Sequence, residues 1–571
     1  MLIIILFYVS ITFTCLWAGF LADFLFSKLK NPADAPPAEK NWIIYALWGM
    51  VSIAIFAQVL QLFVPVNPVT WLLFIAGLSL LSASKKALFS RFLAWLKNAK
   101  RLERHAFLFC AMLVVLFAML AAGPTQMDDT ESYHMQNIKW TQAYGTVKGI
   151  ANLHERFGFN SSWLTFTSLF IPQHSAINYF NVVNSLLSLW FSIYLYTGFR
   201  NALNTNREPG QKATYLSFFF MFMVALLIWP MLRGNATNSN YDFVTSTMFV
   251  VLFVEVLKQK NTWQDLIPEL LIWPAFLFTV RIINFPILLV TLFAIVVLAR
   301  QNRIKLLMIS LAVSGTLVLA FLTRNVLLSG YLFYPAYQLD VFSVDWKADP
   351  VLTKDLVTYI RYFNRVNAGF QPIAETARLG FPGWIPVWFR FLFSYDKVLL
   401  ALSLAGYLAL FFRTGWRTQL NLPAKLIIGV SALQLLSWFF IAPDPRFIYG
   451  PLLLGTFFLP WLLPGKLVES TVNNRRMIPG VSIVLFGIMV LYSSGKVVRD
   501  GRYYNPVFPA ALPVPKARLV TTGGVEYRIP EKLKGNWNAR CCATPLPCLY
   551  SIQPGLSPRG TTIEEGFKLK K

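Results

Sequence analysis

The stretch T-Q-M-D-D-T-E-S-Y-H-M-Q-N-I-K-W, Thr125 to Trp140, carries the densest set of acid–base groups in this 571-residue chain. Asp128 and Asp129 are adjacent carboxylates, with Glu131 and His134 close behind. A carboxylate within hydrogen-bond reach of a hydroxyl can take its proton as a new bond forms. No second carboxylate is needed as acid where the leaving group is a phosphate. A phosphate departs as a stable anion and asks only for cations to hold it. The simpler explanation of acids at this position is that they cap a helix and complement its dipole. Two in succession favour the chemical reading.

Cations for such a phosphate are present. Arg233, Arg281 and Arg446 each fall in a short turn between apolar segments, Arg324 ends another segment, and Arg156 shares the loop of Asp129. Guanidinium groups bind phosphate oxygens in bidentate fashion. For any one arginine, snorkelling or a structural ion pair would suffice. Five on one face predict a phosphate or pyrophosphate site, with Tyr334 at its wall and Glu131 and His134 as further substrate contacts. His134, His154 and His174 lie in one loop but match no zinc-ligand spacing, so no histidine metal site is assigned. The cation that Asp128 or Asp129 would hold loosely is a hard divalent one, Mg or Mn. The chain has no phosphate-cradling glycine loop, nucleophile elbow or zinc-protease motif, which excludes a nucleotide-hydrolysing motor.

The elements that must position these groups are membrane helices. Apolar residues make up 56% of the chain and charged residues 13%, against about 25% charged in soluble domains. The mean hydropathy is +0.53. The fold class expected is an all-α polytopic membrane protein of about 14 spans, counting apolar runs of roughly 17 to 25 residues. Met1 to Ser27 is too long an apolar run for a signal peptide and lacks its flanks, so it reads as a first span. The net charge of +25 is the orientation signal of cytoplasmic loops rather than a nucleic-acid footprint. Basic loops alternate so that Thr125–Trp140, the segment Leu328–Lys397 and both termini lie on the opposite, outer side. Thr130–Tyr144 and Phe157–Phe170 read as amphipathic helices on the membrane surface.

Residues 1–104 read as accessory transmembrane helices, 105–494 as the core with its outer loops, and 495–571 as an outer-face tail. The tail holds Cys541, Cys542 and Cys548. Outside the cytoplasm an oxidising setting favours a disulfide. Cys548 can close a small loop with Cys542 or Cys541, and the pair expected is Cys542–Cys548.

Four stretches carry a family resemblance: D-T-E-S-Y-H-M-Q-N-I-K-W (Asp129–Trp140), N-L-H-E-R-F-G-F-N-S-S-W (Asn152–Trp163), R-N-V-L-L-S-G-Y-L-F-Y-P (Arg324–Pro335) and A-P-D-P-R-F (Ala442–Phe447). In this order the chain resembles the GT-C class of integral-membrane glycosyltransferases, and more narrowly a bacterial branch of it. That class includes protein O-mannosyltransferases and the aminoarabinose transferases of lipid A. The resemblance implies a GT-C-like helical bundle with a catalytic acid in its first outer loop, here Asp128 or Asp129. It further implies a polyprenyl-phosphate-linked sugar donor, a lipid, glycan or protein acceptor, inversion at the sugar carbon, and a site facing the periplasm from a bacterial inner membrane. Two rivals remain open. An O-antigen or polysaccharide polymerase or ligase would place its essential groups in Leu328–Lys397. A lipid-linked glycan flippase or transporter would bury charges at the bilayer midplane.

Overall fold

Long apolar runs without interior breakers become helices throughout the computed structural model. It describes residues 1–29, 40–98, 104–125, 127–172, 182–203, 209–227, 235–259, 262–366, 373–412, 420–464, 466–468, 470, 477–501, 504–510, 512, 514–533 and 539–570. The helices are α1 (Leu2–Ser27), α2 (Trp42–Leu60), α3 (Pro68–Ser84), α4 (Lys86–Asn98), α5 (Arg104–Ala122), α6 (Met135–Tyr144), α7 (Ser162–Ser168), α8 (Val182–Leu203), α9 (Pro209–Leu227) and α10 (Asp242–Lys258). Then follow α11 (Ile267–Val280), α12 (Leu288–Arg300), α13 (Ile304–Ser329), α14 (Pro350–Val366), α15 (Ile373–Arg378), α16 (Trp384–Phe391), α17 (Ser394–Phe412), α18 (Leu422–Ile441), α19 (Tyr449–Phe457) and α20 (Met477–Arg499).

Among the described residues, seven helices are long and apolar enough to cross a membrane: α1, α2, Val182–Arg200, Ile282–Arg300, α13, α17 and α18. An eighth is added if Pro68–Ser84 and Lys86–Lys97, bent by 105° at their junction, form one broken span. The protein is therefore a polytopic, mainly helical membrane protein, but the expected 14 spans are not supported. Hydropathy marks burial, and it does not say whether lipid or protein does the burying. The 14 residues of α11 are all buried. At about 1.5 Å rise per residue, such a helix covers some 21 Å of a core about 30 Å thick. The 9-residue α19 is likewise buried throughout.

The first two helices belong to the same apolar core as the rest. They cross at small residues, because a side chain at Gly19 would strike the Tyr45 carbonyl and one at Gly49 the Cys15 carbonyl. Such contacts let membrane helices approach closely. The Met1 ammonium donates to the carbonyls of Asn505 (2.9 Å) and Val507 (3.0 Å). The N-terminus and the start of the tail thus share one end of the bundle.

Two expectations for the first outer loop need correction. Thr130–His134 forms a single π-helical turn that runs into α6, and Gln136, Asn137, Thr141 and Gln142 are buried there. The second stretch is a 3-10 turn, Glu155–Gly158, followed by α7, which is buried throughout. Both are largely enclosed by protein rather than presenting an open amphipathic face. Gln136 Nε2 donates to the tail carbonyls of Cys542 and Thr544, and Gln142 Nε2 to those of Ser168 and Ile171.

The tail is a small β unit. β1 (Ala517–Thr522) pairs antiparallel with β2 (Val525–Pro530). The turn at Gly523 and Gly524 needs positive φ at both residues (61° and 81°), as a two-residue hairpin connection does. β3 (Leu556–Pro558) pairs with β4 (Phe567–Leu569). Val525, Tyr527, Leu549, Leu556 and Phe567 pack on Tyr133, Trp140, Ile150 and Phe157 of the first outer loop in a second apolar cluster. The disulfide joins Cys541 to Cys548, and Cys542 is a buried free thiol. This corrects the expected Cys542–Cys548 pair. Cys542 instead turns its backbone inward, its N–H donating to the Glu131 carbonyl (2.8 Å) and its carbonyl accepting from Gln136 Nε2 (3.2 Å).

Candidate functional site

Asp129 enters the π-turn with helical backbone angles and its side chain caps nothing. The capping explanation therefore does not account for it. Its carboxylate meets two arginines from distant parts of the chain. Arg446 Nη1 lies 2.8 Å from Oδ2, and Arg156 Nη1 lies 3.4 Å from Oδ1. Arg446 sits in the 3-10 turn Pro445–Ile448, where Asp444 Oδ1 accepts from its backbone N–H (3.1 Å) and so sets the turn. Its Nε lies 2.9 Å from Asp444 and 3.8 Å from Asp242. Asp242 opens α10 and also binds Arg281. The Arg281 guanidinium stacks on Phe447 at 3.6 Å and faces Tyr241 at 5.3 Å. Arg156 lies over Tyr133 (5.5 Å) and Tyr359 (5.7 Å).

The result is a cluster in which Arg156, Arg281 and Arg446 face Asp129, Asp242 and Asp444 inside an aromatic cage. Burial alone would raise the Asp129 pKa, but Arg446 and Arg156 outweigh it and hold the carboxyl well below the usual range. The same balance works in reverse on Arg446: burial opposes its charge, and Asp129, Asp444 and Asp242 hold its pKa above the ordinary value. His134 backs the cluster, its ring 5.2 Å from that of Tyr241. Burial drives its pKa down to about 3 despite the attraction of Asp129, so the imidazole is neutral at pH 7.

The neighbouring acids turn the other way. Arg540 of the tail bridges Asp128 (2.5 Å) and Glu131 (2.7 Å). Thr125 Oγ1 donates to the other Glu131 oxygen (2.6 Å). Lys139 Nζ donates to the Thr544 carbonyl (3.1 Å) and Gln136 Nε2 to the same oxygen (3.0 Å). The adjacent aspartates are thus divided. Asp129 faces the arginine cluster, and Asp128 anchors the tail. The two carboxylates point to different guanidinium partners. Among the described residues no group of three His, Cys, Asp or Glu side chains is placed to hold a metal ion.

Arg324 stands apart from the ion pairs. Its Nη1 donates to Asn160 Oδ1 (2.6 Å) and its Nη2 to Thr141 Oγ1 (3.1 Å). It is only 6% exposed, so it does not snorkel to water, and its Nε finds no hydrogen-bond partner among the described residues. The next residue, Ser161, donates to the carbonyl of Val280, which precedes Arg281 (2.8 Å). Arg324 is thereby linked to the cluster through Asn160 and Ser161. Tyr334 lies further out, its hydroxyl donating to the Glu155 carbonyl (2.8 Å). Arg233 and His174 lie outside the described residues.

Sequence reasoning passed over Asp242, Asp444 and Arg540. Asp444 was in view inside A-P-D-P-R-F, where an acid beside an arginine in an apolar setting is itself a signal. Asp242 reads as an ordinary acid at a helix start. Nothing local marks Arg540 as the partner of Asp128.

No curated protein and no solved structure matches the chain. The model of one family, Domain of unknown function (DUF8201), matches residues 1–453. The matched stretch includes Asp129, Arg156, Asp242, Arg281, Arg324, Asp444 and Arg446, and it stops short of Arg540 and the disulfide. The chain therefore belongs to the DUF8201 family, a family defined by a domain of unknown function.

Proposed function

We propose that this protein is an inverting membrane glycosyltransferase of GT-C type. In this reading it moves a sugar from a polyprenyl-phosphate donor to an acceptor hydroxyl on the outer, periplasmic face of a bacterial inner membrane. The observation that carries the proposal is the arrangement of Asp129: a carboxylate at the mouth of the bundle, held by two arginines with a third beside them.

Among the described residues three guanidinium groups of the cluster face three carboxylates, and Asp129 is a poor base because Arg446 and Arg156 hold its pKa down. A donor phosphate competes for Arg446 and Arg281 and adds negative charge beside Asp129. Both effects return basicity to the carboxylate. Arg324, whose partners at hydrogen-bond distance among the described residues are neutral, adds positive charge for the departing phosphate. The acceptor hydroxyl then gives its proton to Asp129 as its oxygen bonds to the sugar carbon. The carbon–oxygen bond to phosphate breaks, and the electron pair leaves with the phosphate onto the arginines. One base and one displacement give inversion. General base catalysis of this kind contributes roughly 100- to 10,000-fold. The displacement as written requires no metal ion.

A second reading, a polysaccharide polymerase or ligase, is favoured by one contact: Tyr359, in the Leu328–Lys397 segment, stacks with Arg156. Mass spectrometry of polyprenyl lipids and envelope glycans from cells lacking the gene tests both. Transfer of a single sugar predicts accumulation of one polyprenyl-phosphate sugar and loss of one glycan modification. A change in chain length points to polymerisation. Unchanged lipids and glycans contradict both.

A further inference from the structure

Resting on the glycosyltransferase reading, we propose that the cleft beside Arg156 binds a neutral, polyhydroxylated acceptor, that is, a glycan chain, and disfavours anionic ones. The cleft has a volume of about 410 Å³, within the roughly 300–1,000 Å³ of ligand pockets. It opens between the first outer loop, α14 and the C-terminal β unit, which adds Gln553. Arg156 is common to the cleft and to the Asp129 cluster, so an occupant lies beside the proposed base.

The lining has sugar-binding chemistry. Tyr334 and Tyr359 offer aromatic surface for the apolar faces of pyranose rings. Asn152 is 3% exposed; its Nδ2 donates to the Trp346 carbonyl (2.8 Å), while its Oδ1 finds no partner among the described residues. A buried amide oxygen left in this way is costly, and a turn of the Asn152 side chain toward the cleft it lines would bring it to a hydroxyl donor. The charges select against anions. Three carboxylates line the cleft, Glu155, Asp349 and Asp355. Asp349 Oδ1 accepts from the N–H groups of Val351 and Leu352. Glu155 and Asp355 offer oxygens that accept hydrogen bonds from hydroxyls, and the positive charge of Arg156 already faces Asp129. An acceptor bearing carboxylate, sulfate or phosphate would meet like charge.

The test is an array of neutral, amino and anionic oligosaccharides probed with the full chain in detergent, without donor. Neutral glycans should be retained, and uronate or sulfated ones bound at least tenfold more weakly. Asn152→Leu should weaken neutral binding about tenfold, the worth of one hydrogen bond. Asp355→Lys, at an exposed position on α14 that the fold tolerates, should bring anionic glycans within reach. Preference for anionic glycans, retention of no glycan, or wild-type behaviour of both variants overturns the inference. Binding without transfer from any polyprenyl-phosphate sugar sinks the enzyme reading and leaves the cleft standing. Transfer without array binding does the reverse.

Discussion

Arg446 Nη1 lies 2.8 Å from Asp129 Oδ2, joining the turn before α19 to the first outer loop through one guanidinium. Neither residue reaches water freely, the Arg446 side chain being 18% and the Asp129 side chain 19% exposed. A buried pair of this kind is a poor source of net stability, yet removing one partner leaves an uncompensated charge.

Arg446→Ala is therefore expected to destabilise the protein by roughly 3–5 kcal/mol, read as a lower thermal midpoint in detergent. Arg446→Lys keeps the charge and should fold, but it loses the planar fork that spans Asp129 and Asp444. Donor binding by the lysine variant should fall while the midpoint drops less than in the alanine variant. Equal midpoints for wild type and Arg446→Ala would show that the ion pairs do not hold the cluster.

Arg324 predicts the opposite separation. A buried cation with only neutral partners costs desolvation without an ion pair to offset it. Arg324→Met should leave the thermal midpoint unchanged or raise it, while lowering affinity for a polyprenyl-phosphate sugar about tenfold, the loss of one charge-assisted contact. A lower midpoint with unchanged donor affinity would make Arg324 a structural residue.

His134 sets a pH dependence. Its folded pKa is pushed down to about 3, against about 6.5 when unfolded. Between these values the unfolded chain binds the extra proton, so stability rises with pH across the window and is fully present above about 6.5. Asp129 acts at lower pH: its depressed folded pKa adds stability that is present above about 3.9 and lost as pH falls below it. Denaturation midpoints from pH 7 down to pH 4 should decline, and His134→Gln should flatten that decline. An equal decline in both proteins would place the titrating group elsewhere.

The tail provides a redox test. Cys541→Ser should lower stability by about 2.5 kcal/mol, the loop-closure value for so short a loop. It should also loosen the anchoring of Gln136 and Lys139, since the carbonyls they bind lie inside that loop. Cys542→Ser should leave the disulfide intact. Peptide mapping under non-reducing conditions that finds Cys542 joined to Cys548 would refute this pairing.

How much of this was legible in the sequence depended on contrast. Asp129, Arg156, Arg281 and Arg446 stand out because charges are rare in an apolar chain and expensive inside it, and the structure does bring these four together. Arg324 was visible for the same reason, but its neutral partners Asn160 and Thr141 were not. The span number was illegible, because α11 and α10 are as apolar as true spans and are covered by protein. The disulfide partner was illegible too, since Cys541 and Cys542 are adjacent and only the backbone turn at Cys542, with φ 45°, decides which thiol faces Cys548. The Gly523–Gly524 hairpin is a signal that the expectation of a plain tail passes over. It matters because that unit covers α6 and supplies Arg540.

The division between Asp128 and Asp129 is the central claim, and one comparison tests it most directly. Asparagine keeps the shape and removes the charge at each position. Transfer from a polyprenyl-phosphate sugar by purified Asp129→Asn should fall roughly 100- to 10,000-fold, with donor binding retained. Asp128→Asn, which alters the contact to Arg540 on the tail, should keep a rate within about threefold of wild type, as expected of a group outside the reacting centre. Near wild-type transfer by Asp129→Asn, or a collapse confined to Asp128→Asn, would contradict the account.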